Sequence, residues 1–228
     1  MKKILIIIAH PDDEVLGCGG AITKLAKEDY IIYTLILGEG VTSRDASRNT
    51  NKRLNEILDL RKSAIKANKI LGVKEVFFKD FPDNRFDTVS LLDIVKAIEK
   101  AKSKIKPDII FTHYEKDLNI DHQLTYKAVI TATRPLRGET VKEIYSFEVL
   151  SSTEWNYPNS FGPDIFYDIR DTINTKLQAL LEYKGELREY PHPRSIKAVK
   201  LIAQSWGIKV GLDYAEAFKV VRIIKREK

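Results

Sequence analysis

Along the first two thirds of the chain, apolar positions switch between short unbroken runs and helical spacing. The runs Lys3–Ala9, Tyr30–Leu37, Glu75–Lys79, Asp108–His113 and Glu143–Val149 predict strands. Between them, Leu54, Ile57, Leu58, Ile65 and Leu71 keep to one helical face, as do Leu91, Ile94, Val95, Ile98 and Ile105. Asp87 or Thr88 is placed to cap the second of these helices, and Pro107 follows its end. Strands alternating with helices predict an α/β fold, here a Rossmann-like, mostly parallel sheet with helices on both faces.

The last third is less regular. Trp155–Tyr167 forms an aromatic and proline-rich stretch, helices are expected over Thr172–Leu187 and Ser195–Trp206, and Phe218–Ile224 predicts an added strand. No repeat, low-complexity tract or linker interrupts the pattern, so one domain over residues 1–228 is expected.

Composition narrows the class. With 43% hydrophobic residues among 228, the chain can bury a substantial core. No window holds about 18 uncharged apolar residues, and the N-terminus enters a strand directly, so neither a membrane span nor secretion is expected and the location expected is cytoplasmic. The net charge of +6 comes from 38 Lys and Arg spread among 32 Asp and Glu. This mixed-charge pattern has no long basic block, which excludes nucleic acid as an expected partner and leaves a mild preference for anionic substrates. The single cysteine, Cys18, rules out an intramolecular disulfide and reads as a small buried hydrophobe.

Packing alone does not explain Ala9-His10-Pro11-Asp12-Asp13-Glu14, set directly behind the first apolar run. Uncompensated carboxylates beside a core cost several kcal/mol, roughly, unless they are paired or bind a metal. A second polar cluster, His113 to His122, follows the fourth predicted strand. Ligands in α/β sheets gather at the carboxyl ends of strands, so the two clusters converge on one edge. A catalytic zinc takes three protein ligands and keeps one position open for water; the natural set here is His10, one of Asp12 or Asp13, and His122. The spare aspartate is then free to serve as general base. Dinucleotide binding is the rival reading of Gly17, Gly19 and Gly20, but these start about eight residues beyond the strand and acids fill the turn where a pyrophosphate needs bare amides. They serve instead to let the first helix approach the sheet. A magnesium- or manganese-dependent transferase or phosphoesterase would use several carboxylates, and two histidine ligands argue against it.

With Ala-His-Pro-Asp-Asp-Glu after an N-terminal strand and Asp121-His122 opening a later helix, the chain resembles the PIG-L (LmbE-like) zinc-dependent N-deacetylases over nearly its whole length. The resemblance implies a zinc cofactor held by His10, Asp13 and His122, Asp12 as the base, and a small-molecule substrate, an N-acetylated amino sugar or its conjugate, that loses its acetyl group. It also makes a homo-oligomer the expectation by analogy. One position departs from the family: Asn119 stands where members usually carry a histidine credited with stabilising the oxyanion or shuttling a proton. An amide can donate a hydrogen bond but cannot deliver a proton. Asp12 can return the proton itself, and His192, within Tyr190-Pro191-His192-Pro193-Arg194-Ser195, is the second candidate because relatives use a C-terminal histidine near the zinc. For substrate binding the candidates are Asp83 and Arg85, behind the third strand, and Arg194, whose planar fork of donors suits an anion. His113, at a strand end, reads as a residue that supports the ligands from behind or packs in the core, not as a ligand itself. The alternative function is a relative that binds a sugar or nucleotide without hydrolysing it, the histidine at position 119 being gone.

Overall fold

The computed structural model describes residues 1–225. Strand β1 (Lys3–Ile8) leads into helix α1 (Asp13–Lys27), followed by β2 (Ile31–Gly38), α2 (Leu54–Ile70), β3 (Glu75–Phe81), α3 (Leu91–Ile105), β4 (Ile109–His113), α4 (Ile120–Ala132) and β5 (Glu143–Phe147). Then come β6 (Ile165–Asp168), α5 (Ile173–Leu181), α6 (Ile196–Ile208) and β7 (Ala215–Ile223). One seven-stranded sheet runs in the order β3-β2-β1-β4-β5-β7-β6. The five strands from β3 to β5 pair in parallel, and β7 lies antiparallel to both β5 and β6.

Strand β1 sits at the centre of this sheet, and its apolar run is the reason. Successive side chains point to opposite faces. Ile4, Ile6 and Ile8 pack with residues of α1, α2, α5 and α6, while Leu5, Ile7 and Ala9 pack with residues of α3 and α4. A strand buried on both faces has no use for a polar position, hence five consecutive aliphatics. From β1 the chain builds outward through β2 and β3, then returns to lay β4 on the other side. That reversal opens a crevice beyond the carboxyl ends of β1 and β4, where an open α/β sheet binds its ligands.

Helix α1 is broken at Cys18, whose φ of −145° and ψ of 16° are not helical. The break is repaired from outside. The Glu216 carboxylate accepts the Gly20 and Ala21 amides at 2.9 and 2.7 Å, capping the second half of the helix. Lys176 Nζ donates to Leu16 O at 2.8 Å and pairs with Glu216 at 2.6 Å. Gly17 lets the first half lie on the sheet, since a Cβ there would stand 2.1 Å from the Phe147 ring. Both ions are buried, so truncating one strands the other. Glu216→Ala is expected to lower stability by about 3–5 kcal/mol in urea unfolding.

Four local expectations are corrected. Ser90, not Asp87 or Thr88, caps α3, its hydroxyl accepting the Leu92 amide, because residues 86–88 form a 3-10 turn around the buried Phe86. The helix expected to reach Leu187 ends at Leu181. The irregular stretch contributes β6, and the final strand starts three residues earlier than the apolar run, at Ala215. Cys18 is buried, as expected, and none of the described helices is long and apolar enough to cross a membrane.

Candidate metal centre

His10 leaves the end of β1, Asp12 and Asp13 open α1, and His122 lies in the first turn of α4, directly after β4. The crevice therefore receives two helix N-termini, which favour negative charge near them. Three atoms converge there. His10 Nδ1 lies 3.3 Å from His122 Nε2 and 3.6 Å from Asp13 Oδ2, and the last two are 3.4 Å apart. Bonds of about 2.0–2.1 Å to a tetrahedral ion put its ligand atoms about 3.3–3.4 Å from one another. Two edges of the donor triangle match that spacing and the third exceeds it by about 0.2 Å, so the three residues fit a tetrahedral ion of this size. Asp13 Oδ1 is buried without a hydrogen-bond partner, as fits a carboxylate whose charge is meant for an ion.

Each ligand imidazole has a carboxylate beside its outer nitrogen, hydrogen-bonded at His10 and in ion-pair contact at His122. His10 Nε2 hydrogen-bonds Asp121 Oδ2 at 2.9 Å, which leaves Nδ1 as the free lone pair. Asp121 is itself fixed by the Phe86 amide at 2.8 Å. His122 Nδ1 lies 3.2 Å from Asp117 Oδ1, and Asp117 also accepts hydrogen bonds from the Ser152 and Thr153 hydroxyls. Burial on its own would lower the His122 pKa, but Asp13 and Asp117 outweigh it and raise the imidazole to about 10. Burial would raise Asp13, yet His122, His113 and His10 hold it well below the usual carboxylate range. His113 behaves differently. Its Nε2 accepts the Ala9 amide at 2.8 Å, its ring stacks on His122 at 3.9 Å, and burial with repulsion from His122 lowers it to about 3, so it is a neutral packing partner.

Asp12 stands outside the triangle. It has φ 102° and ψ −23°, outside the usual regions for an aspartate, at a cost of order 1–3 kcal/mol. Although it occupies the N-cap position of α1, its side chain makes no capping hydrogen bond. Instead Oδ2 accepts Arg194 Nη1 at 3.2 Å, and Arg194 Nε donates to Ser151 Oγ at 2.7 Å. Burial lifts the Asp12 carboxyl to about 7 against the pull of Arg194.

Residues 5–133 match the model of the PIG-L family, described as GlcNAc-PI de-N-acetylase. The chain belongs to the PIG-L family. Two relatives match most of its length: the E. coli K12 deacetylase YaiS, itself uncharacterised, is 31% identical over 81% of this chain and 91% of its own length. Diacetylchitobiose deacetylase of Thermococcus kodakarensis is 26% identical over 97% of this chain and 84% of its own. Among solved structures, GalB of Pseudomonas putida KT2440, a 4-carboxy-2-hydroxymuconate hydratase, superposes with a TM-score of 0.75 at 23% identity, covering 100% of this chain and 99% of that one. That likeness concerns the fold alone.

In this PIG-L chain a polar cavity of about 140 Å³ adjoins the triangle, lined by His10, Asp12, Ser43, Asp83, Asn119, Glu186, Arg188 and Arg194, among others. Asp83 Oδ1 is 3.4 Å from His10 Nε2, and its other oxygen accepts the Ser43 amide and hydroxyl. Asn119 caps α4: its Oδ1 accepts the Asp121 amide at 2.8 Å, and Nδ2 gives one hydrogen to Asn84 Oδ1, leaving the second unassigned. Two candidates point elsewhere. Arg85 donates to the carbonyls of Asp45 and Ala46, bracing that loop, and does not line the cavity. His192 packs edge-on to Trp155, its Nδ1 accepts the Arg194 amide, and it too lies off the cavity wall. Sequence reasoning missed Asp117, Asp121 and Glu186; the first two were signalled by their place in Asp117-Leu118-Asn119-Ile120-Asp121-His122, acids flanking a candidate ligand. A larger cavity, of about 510 Å³, lies at the far ends of α3 and α4, about 15 Å along α4 from His122. Its lysines and arginines complement helix C-termini and supply no metal ligands.

Proposed function

We propose that the protein is a zinc-dependent amidohydrolase that removes the acetyl group from an N-acetylated amino sugar or its conjugate. His10, Asp13 and His122 would hold the ion, and the observation that carries the reading is their triangle of donor atoms beside a cavity that also presents Asp12. When bound, zinc polarises the acyl carbonyl and acidifies the attacking water. Asp12 takes the proton of that water and returns it to the leaving nitrogen, a double role assigned to it because His192 lies off the cavity wall. Arg194 keeps the Asp12 carboxyl turned into the cavity, and the free Nδ2 hydrogen of Asn119 is offered to the developing oxyanion. Asp83, with Ser43 beside it, presents acceptors to sugar hydroxyls.

Acetate release from N-acetylglucosamine and N,N'-diacetylchitobiose by zinc-loaded protein tests the reading; turnover that survives complete chelation would end it. Asn119→Asp keeps the oxygen that caps α4 and removes the donor. It is expected to lower kcat roughly 10²–10³-fold with little change in melting temperature. A near-normal rate would reduce Asn119 to a helix cap.

A further inference from the structure

Glu14 is the third carboxylate of the Ala9–Glu14 motif and takes no part in the chemistry above. It is fully buried and accepts from three directions. Its Oε1 receives the Tyr183 hydroxyl at 2.5 Å and Asn68 Nδ2 at 2.8 Å. Its Oε2 receives the Asp12 amide at 3.2 Å. Asn68 is held in turn by the Thr34 hydroxyl, which donates to its Oδ1 at 2.7 Å. The donors come from α2, from the segment after α5 and from the turn that precedes α1, so the carboxylate is gripped from three separate parts of the chain. With both lone-pair directions of Oε1 engaged, Oε2 faces the turn that carries Asp12.

We propose that Glu14 is a positioning residue: anchored by Tyr183 and Asn68, it binds the Asp12 amide and holds the Asp12 backbone in its left-handed conformation, which turns the Asp12 carboxyl away from helix α1 and toward Arg194 and the cavity. The inference rests on Asp12 as the base. Without that acceptor the buried Asp12 amide would lose its carboxylate partner, and relaxing φ from 102° would let the side chain fall back onto the α1 amides, where an N-cap aspartate ordinarily binds.

Glu14→Gln isolates this contact at constant volume. The amide oxygen still serves Tyr183 and Asn68, but the NH2 group opposes the Asp12 amide, donor against donor. In a crystal structure of the variant, Asp12 is expected to leave the region near φ 102° and to lose its contact with Arg194. On N,N'-diacetylchitobiose, kcat is expected to fall roughly 10- to 100-fold with unchanged zinc content and KM within about twofold. Added to Asp12→Asn, the same change should alter the residual rate by less than about twofold, because Glu14 acts through Asp12. Should Glu14→Gln not fold, Tyr183→Phe loosens the same anchor, with a roughly fivefold loss in kcat and the same constant KM expected. An Asp12 that keeps its conformation in Glu14→Gln overturns the proposal, as does an undiminished kcat in either variant. If Asp12→Asn alone is fully active, the role of Asp12 as base fails, and the backbone of Asp12 in the Glu14→Gln crystal still decides whether Glu14 holds the turn.

Discussion

Asp12→Asn is expected to cut kcat roughly 10³–10⁴-fold while zinc content stays at the wild-type level. The substitution preserves shape, the backbone amide held by Glu14 and one oxygen for Arg194. It removes only the capacity to take a proton. Because the Asp12 carboxyl belongs to none of the three donor atoms, the metal should be indifferent to the change. A base works best with a pKa near the working pH, and burial places Asp12 at about 7, poised both to accept a proton from water and to release it to an amine. Steady-state acetate release with metal analysis on the same sample checks both halves. Retained turnover would take the role of base from Asp12; lost zinc would place Asp12 among the ligands.

The second large effect concerns the ion. His122→Ala removes one corner of the triangle and should take turnover below about one thousandth of wild type, with zinc lost on dialysis. Asp117→Asn leaves every ligand in place and removes only the charge beside His122 Nδ1. Its effect should be intermediate, roughly 10- to 100-fold weaker zinc binding, with activity recovered at high zinc. The graded pair separates a ligand from the group that aims it. If both variants bound zinc as tightly as the wild type, His122 would not be a ligand.

Much of this was legible in the chain because the central strands have both faces buried. Ile4–Ile8 must then be unbroken, and the polar residues immediately behind them stand out against that background. The edge of the sheet carried no such signal. The four residues of β6, Ile-Phe-Tyr-Asp, are only half-buried and pair with β7, some fifty positions away. The early end of α5 has a tertiary cause as well: the chain must turn after Leu181 for Tyr183 to reach Glu14 and for Glu186 and Arg188 to reach the cavity. The break in α1 depends on Lys176 and Glu216, which no local pattern connects to Gly20.

The candidate site divides along the same line. His10, Asp13 and His122 lie within motifs, whereas the partner of His10 is Asp121, which the fold brings across 111 positions. Choosing between Asp12 and Asp13 was beyond spacing alone, because adjacent carboxylates differ only once the backbone turns: Asp13 Oδ2 folds back to accept the His10 amide at 2.8 Å beside both imidazoles, and Asp12 swings to Arg194. Arg85 and His192 had the right composition, but loop contacts claim Arg85 and Trp155 and the Arg194 amide claim His192.

Anomalous diffraction at the zinc edge, on crystals of protein grown with equimolar zinc, bears most directly on the whole account. A single strong peak about 2.0–2.2 Å from His10 Nδ1, Asp13 Oδ2 and His122 Nε2 is the predicted result. A peak on any other set of donors, or fully active crystals with no peak at all, would contradict it.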